Sequence, residues 1–166
     1  GEIDYEEFER LIEFQLRSDI AALVFLGTTG EAATISAEER KSIIGFAVKR
    51  VKGRVPVIIG CGSNSTKRAA ELTLQAKSLG ADCSLSVTPY YNKCSQDGLI
   101  AHYFEIEKQS AFPQIVYNVP SRTGVDVSPE TYGRLSELYS VVGIKEANKS
   151  SEKLVGTFSA LNDNIP

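Results

Sequence analysis

Gln114-Ile115-Val116-Tyr117-Asn118-Val119 is followed by Ser128-Pro129-Glu130 ahead of Thr131 to Leu138, and then by Val141-Val142-Gly143-Ile144-Lys145-Glu146. The outer runs are short, rich in Val and Ile and nearly continuous in apolarity, as expected of strands covered on both faces. Between them, a serine cap, a proline at the first helical position and an early acid mark the start of a helix. Strand, helix, strand in that order makes a βαβ unit, and therefore a parallel pair.

The same rhythm extends toward the N-terminus, with strand-like runs at Ala21 to Gly27, Val55 to Gly60 and Cys83 to Thr88. Ser36-Ala37-Glu38-Glu39 is a capping box, the serine hydroxyl serving a backbone amide and Glu39 the return bond. Tyr5 to Leu16 carries Phe8, Leu11, Ile12 and Leu16 on one helical face. This helix precedes the first visible strand, as it would in a βα repeat whose own strand lies before residue 1. Strand starts recur about every 30 residues, which suits a TIM (β/α)8 barrel. A doubly wound open sheet has the same local pattern, and spacing alone does not separate the two.

The 166 residues, 42% hydrophobic, suffice for one domain with a real core. Eighteen basic and 21 acidic residues, net charge −3, are scattered, so no face is prepared for nucleic acid or an anionic membrane, and a small-molecule partner is expected. No apolar run approaches the roughly 20 residues that cross a bilayer, and the N-terminus lacks a signal-peptide pattern; a soluble cytoplasmic protein is the expectation. Cys61, Cys83 and Cys94 lack close pairing and read as reduced thiols. The sequence has no methionine, and Asn162 to Pro166 stops where the approach to another strand belongs, so the chain reads as a fragment cut at both ends.

In either architecture the chemistry sits at the carboxyl ends of the strands. Five segments gather there: Gly27-Thr28-Thr29-Gly30-Glu31, Gly60-Cys61-Gly62, Thr88-Pro89-Tyr90-Tyr91-Asn92, Tyr117 to Gly124, and Gly143-Ile144-Lys145-Glu146. Lys145 ends an apolar strand. Either its stem crosses the strand end with the ammonium in water, or it faces a barrel interior, where desolvation lowers its pKa and makes the amine a nucleophile toward a carbonyl. Alternation puts Lys145 on the face of Gly143 and Val141, opposite Ile144 and Val142.

Tyr117, near the end of the preceding strand, is either core packing or a phenol able to move protons beside the lysine. Arg122 is either an exposed loop cation or a fork for a substrate carboxylate. Thr28 and Thr29, flanked by glycines, close a strand and offer hydroxyls and amides to a ligand. Gly60-Cys61-Gly62-Ser63-Asn64 lacks the third glycine of a dinucleotide fingerprint. His102, the only histidine, falls in a predicted helix and reads as structural or exposed. Asn64-Ser65-Thr66 matches a glycosylation acceptor, an accidental match without a secretion signal.

Four motifs, Gly27 to Glu31, Val87 to Asn92, Tyr117 to Gly124 and Gly143 to Glu146, stand in the order and spacing of one family. The whole chain resembles the dihydrodipicolinate synthase and N-acetylneuraminate lyase superfamily, on its synthase branch. The resemblance implies strands 2 to 6 of an incomplete TIM barrel over residues 1–166, with the first strand, the last two βα units and a C-terminal helical region outside the sequence. It implies a class I aldol condensation of pyruvate with aspartate β-semialdehyde in lysine and diaminopimelate biosynthesis, with no metal or cofactor. Lys145 would form the imine, Tyr117 would act as acid and base, and Thr28 would link it to Tyr91, which reaches into a neighbouring subunit's site. Thr29 would hold the pyruvate carboxylate and Arg122 that of the second substrate.

Asn64 and Tyr90 match a lysine-feedback site, but Arg68 replaces an acid there and Ala37 and Arg40 replace histidines, so weak or absent feedback is expected. Cys94 departs from a proline common after the double tyrosine. The assembly implied is a homotetramer built as a dimer of dimers, and the fragment alone is expected to be unstable and inactive. Two other readings stay open: a lyase for sialic acid or a keto-deoxy sugar acid, and a non-catalytic α/β ligand-binding domain.

Overall fold

The structure, a computed structural model, describes residues 2–161 and Ile165. Asn162, Asp163, Asn164 and Pro166, on which the reading of the C-terminal end rests, lie outside the described residues; Ile165 packs against the cluster around Leu99 and Tyr132. Five strands, β1 (Leu23–Phe25), β2 (Val57–Gly60), β3 (Cys83–Val87), β4 (Gln114–Asn118) and β5 (Val141–Glu146), form a parallel sheet in strict chain order. Between and around them run helices α1 (Tyr5–Leu16), α2 (Ala37–Val51), α3 (Thr66–Ser78), α4 (Gln96–Ser110), the single turn α5 (Pro120–Thr123), α6 (Pro129–Leu135) and α7 (Ser151–Ala160). A doubly wound sheet reverses its strand order at a switch point. The unbroken order 1-2-3-4-5 has no reversal, so right-handed crossovers stack the long connecting helices on the same face, the pattern of a barrel wall.

Strand alternation then divides the apolar residues between two layers. Phe25, Val57 and Ile59 face the helices and join Ile12, Ile43, Ile44 and Ala47 in one core; Val116 and Val141 join Leu99, Tyr103, Ile106 and Leu135 in a second. The opposite face carries Ile58, Cys83, Leu85 and Tyr117. Helix starts follow their caps. Ser36 Oγ accepts from the Glu39 amide at 3.2 Å and the Glu39 carboxylate accepts from the Ser36 amide at 2.8 Å, the reciprocal box read from the sequence. Helix α6 closes at Leu135, short of Leu138, because the Ser136 hydroxyl donates to the Gly133 carbonyl at 2.6 Å and tight turns through Glu137 and Leu138 lead directly into β5.

Two glycines are fixed by close backbone approach. A Cβ on Gly60 would lie 1.9 Å from the Leu26 carbonyl oxygen, and one on Gly62 would lie 2.5 Å from the Val87 amide nitrogen. The Gly60-x-Gly62 pair therefore seats neighbouring strand ends against one another. One face assignment is corrected. A bulge between β4 and β5 pairs Gln114 with Val141 and Ile115 with Gly143, leaving Val142 as the extra residue. Val141 thus faces the helices, and Lys145 shares its face with Gly143 alone. No described helix is long and apolar enough to cross a membrane.

Candidate active site

The sheet brings Lys145 and Tyr117 together directly, as register partners at the carboxyl ends of β5 and β4. The Lys145 ammonium nitrogen sits 4.2 Å from the centroid of the Tyr117 ring, against its negative face. Tyr117 is 7% exposed and packed among Ile58, Leu85 and Val119, so the platform under the amine is rigid. Lys145 itself is exposed, which among the described residues matches the reading that puts its head in water and not the one that desolvates it. Its strand is the outermost of the sheet, so one side of the side chain has no neighbouring strand to exclude water.

A cavity of about 300 Å³ opens above this pair, lined by Thr28, Thr29, Arg122, Tyr117 and Lys145, with Val24 and Leu85 as its apolar side. Thr28, Tyr117 and Arg122 also line an adjoining groove of about 920 Å³ that holds Tyr90, Tyr91 and Arg40. Arg122 reaches both spaces because α5 is a single turn, begun at Pro120 and ended by Gly124 at φ +72°. Among the described residues it makes no ion pair, which leaves its fork open to a carboxylate.

Tyr91, 87% exposed, stands at φ +74°, a conformation costly for a bulky residue, held by its amide donating to the Thr123 carbonyl at 3.2 Å. Among the described residues no hydrogen bond joins the hydroxyls of Thr28, Tyr117 and Tyr91 to one another. Asn64 is half-buried in the loop after β2 and borders neither space.

The helix-facing side of the same strand ends holds groups that sequence reasoning did not single out. Glu146 accepts hydrogen bonds from the Tyr132 hydroxyl at 2.7 Å, the Asn148 amide at 2.8 Å and the Asn118 carboxamide at 3.0 Å. Burial and the neighbouring Glu146 push the Tyr132 hydroxyl far above its ordinary pKa, so it stays a donor. Alternation could have found this cluster: residues next to Tyr117 and Lys145 face the helices, where a buried amide and a carboxylate need partners.

Two further polar residues are buried, and of these His102 alone leaves a side-chain nitrogen, Nε2, without a partner among the described residues. Arg40, 8% exposed, donates to Gly60 O, Gln75 Oε1 and Cys61 Sγ, and burial lowers its pKa. His102 accepts or donates through Nδ1 to the Thr66 hydroxyl at 2.9 Å; burial lowers its pKa to about 4. The histidine is thus structural and not exposed. Cys61 and Cys83 are buried free thiols pushed up to about 11 by burial.

The family model for the dihydrodipicolinate synthetase family matches residues 1–165. A 4-hydroxy-tetrahydrodipicolinate synthase of Alkaliphilus oremlandii is 52% identical over 155 residues, covering 93% of this chain and 53% of the relative. One from Kosmotoga olearia is 56% identical over 148 residues, covering 89% and 50%. Among solved structures, the chloride-inhibited dihydrodipicolinate synthase of Acinetobacter baumannii complexed with pyruvate superposes with a TM-score of 0.96 at 44% identity, over 99% of this chain and 57% of that one. The chain spans about half the length of the curated relatives it matches. With these relatives the sequential sheet is recognised as an incomplete TIM barrel.

Proposed function

The chain belongs to the dihydrodipicolinate synthetase family, and from that membership and the site we propose that the whole protein condenses pyruvate with aspartate β-semialdehyde to 4-hydroxy-tetrahydrodipicolinate, through an imine on Lys145. The observation that carries this is the Lys145 nitrogen 4.2 Å over the Tyr117 ring, at a cavity shared with Thr28, Thr29 and Arg122. The uncharged amine adds to the keto carbon of pyruvate, and loss of water leaves a protonated imine. That imine is the electron sink: a proton leaves the methyl carbon and the enamine attacks the aldehyde carbon. The product's own amino group then displaces the lysine by transimination, closing the ring. Proton transfers at each stage fall to Tyr117, whose ring lies beside the amine. Thr29 takes the pyruvate carboxylate and Arg122 the carboxylate of the second substrate.

On this reading, strands beside β5 in the whole protein cover Lys145 and supply the desolvation that an edge position lacks. Thr28 relays protons between Tyr117 and the Tyr91 of a second copy, in a dimer of dimers. The outward Tyr91, exposed and held at a costly positive φ, supports that role. Feedback by lysine at Asn64 and Tyr90 is weak, the surrounding Arg40 and Arg68 being cationic. The setting is the cytoplasm and lysine biosynthesis.

The test is chemical. Incubation of the whole protein with pyruvate and borohydride should reduce the imine to a secondary amine found at Lys145 in a peptide digest. An unmodified Lys145 in a protein that still turns over pyruvate sinks the mechanism, and an unmodified lysine with no turnover favours a ligand-binding domain.

A further inference from the structure

The register of β4 against β5 decides whether Lys145 meets Tyr117 at all, since a slip of one residue would turn the lysine toward the helices. The ladder below the site does not guarantee it, being broken by the bulge at Gln114 and Ile115. Above the bulge, the next residue on each strand points to the helix side. Asn118, fully buried, directs one carboxamide hydrogen across both Glu146 oxygens at 3.0 and 3.1 Å and the other to Asp126 Oδ1 at 2.8 Å. Its side-chain oxygen, Oδ1, accepts from the Val127 amide at 3.3 Å.

Glu146, with its side chain 8% exposed, also takes the Tyr132 hydroxyl and the Asn148 amide, and the Lys153 ammonium lies 4.0 Å away while pairing with Asp126. The Ala147 amide donates to the Asn118 carbonyl at 2.9 Å, extending the ladder past the site. A carboxylate this buried is costly unless all its neighbours are in place, and only one register puts them there.

We infer that Asn118 and Glu146 are positioning residues that lock the β4–β5 register from the back of the sheet and so hold the Lys145 amine over the Tyr117 ring. This rests on the reading of Lys145 and Tyr117 as the reacting pair. The lock draws on β4, β5, α6 and α7 together. It touches neither cavity, so it acts on the chemistry only through where the strand ends stand.

The experiment compares Glu146→Ala, Glu146→Gln and Tyr103→Phe in the whole protein. Tyr103→Phe removes a buried hydrogen bond to Ser86 O at 2.8 Å behind β3 and serves as a control for lost stability without lost register. Two readouts are taken: amide hydrogen exchange across residues 141–147 against residues 57–60, and the rate of borohydride trapping with saturating pyruvate. Glu146→Ala should speed exchange in β5 by about tenfold or more with β2 unchanged, and slow trapping by about tenfold or more. Glu146→Gln, which keeps the acceptor for Asn118 and Asn148, should return both to within about threefold of the parent, and Tyr103→Phe should move neither.

The inference is overturned if Glu146→Ala leaves β5 exchange within about threefold of the parent, if β2 and β5 loosen equally, or if Tyr103→Phe slows trapping as much. Should Glu146→Ala fail to accumulate folded, Tyr132→Phe removes a single donor to the same carboxylate and should speed β5 exchange and slow trapping by about fivefold with β2 unchanged, a change within about threefold overturning the inference. If the parent itself is not trapped, the functional reading fails while the exchange comparison still decides the lock.

Discussion

Lys145 and His102 show how one property, burial, divides residues of similar chemistry into different roles. Lys145 is solvent-exposed on an edge strand against an aromatic face, open to a ligand; His102 is 3% exposed and bonded to Thr66, with its Nε2 unpartnered. Burial holds the folded-state pKa of His102 near 4, below the ordinary 6.5. The unfolded chain therefore gains a proton first as pH falls, so the contribution of neutral His102 is intact above about pH 6.5 and is lost progressively toward pH 4, a loss of about 3 kcal/mol. His102→Gln, which keeps a partner for Thr66, should flatten the decline in melting temperature between pH 7 and 4; an unchanged profile would show that other groups set the acid limb. At this scale the sequence was informative about type and weak about environment. Lys145 was visible as a candidate because a charge ends an apolar strand, and Tyr117 because it stands near the end of the strand before it, but exposure depends on which strand is outermost, and a linear pattern does not carry that.

Elements were the most legible level, because each is written in a few neighbouring residues. Ser36 and Glu39, Ser128 and Pro129, and the apolar stripe of α1 all mark helices that the structure contains, and the five strand-like runs are its five strands. What escaped was anything set by pairing between elements. The bulge that turns Val141 away from the face of Lys145 arises from the match between β4 and β5, and the backbone contacts behind Gly60 and Gly62 arise from three strand ends meeting. The glycine pair looked like a weak nucleotide signature when its reason is lack of room. Gly60→Ala should accordingly destabilise the fold by about 3 kcal/mol or more, since the obstruction is backbone and not a flexible side chain. A urea midpoint within error of the parent would mean that β1 and β2 can move apart freely.

The molecule as a whole is a parallel sheet that does not close on itself among the described residues, with helices on one face and the candidate site at the strand ends. Val24 and Val142 lie exposed near its two edges, and Val155 and Phe158 are exposed on α7. The purified 166-residue chain should therefore show no measurable condensation and should associate as its concentration rises, checked by a coupled activity assay alongside sedimentation. Turnover by the chain alone would refute this. The bulge in β5 bears on what form that association takes. A strand added from another chain needs an evenly pleated row of amides and carbonyls to copy, and the extra residue at Val142 interrupts that row where it would begin, while β1 offers only three residues at the far side. Neither border is a good template for cross-β polymerisation, so clumps held by greasy side chains, and not ordered fibrils, are the form these chains should take when crowded.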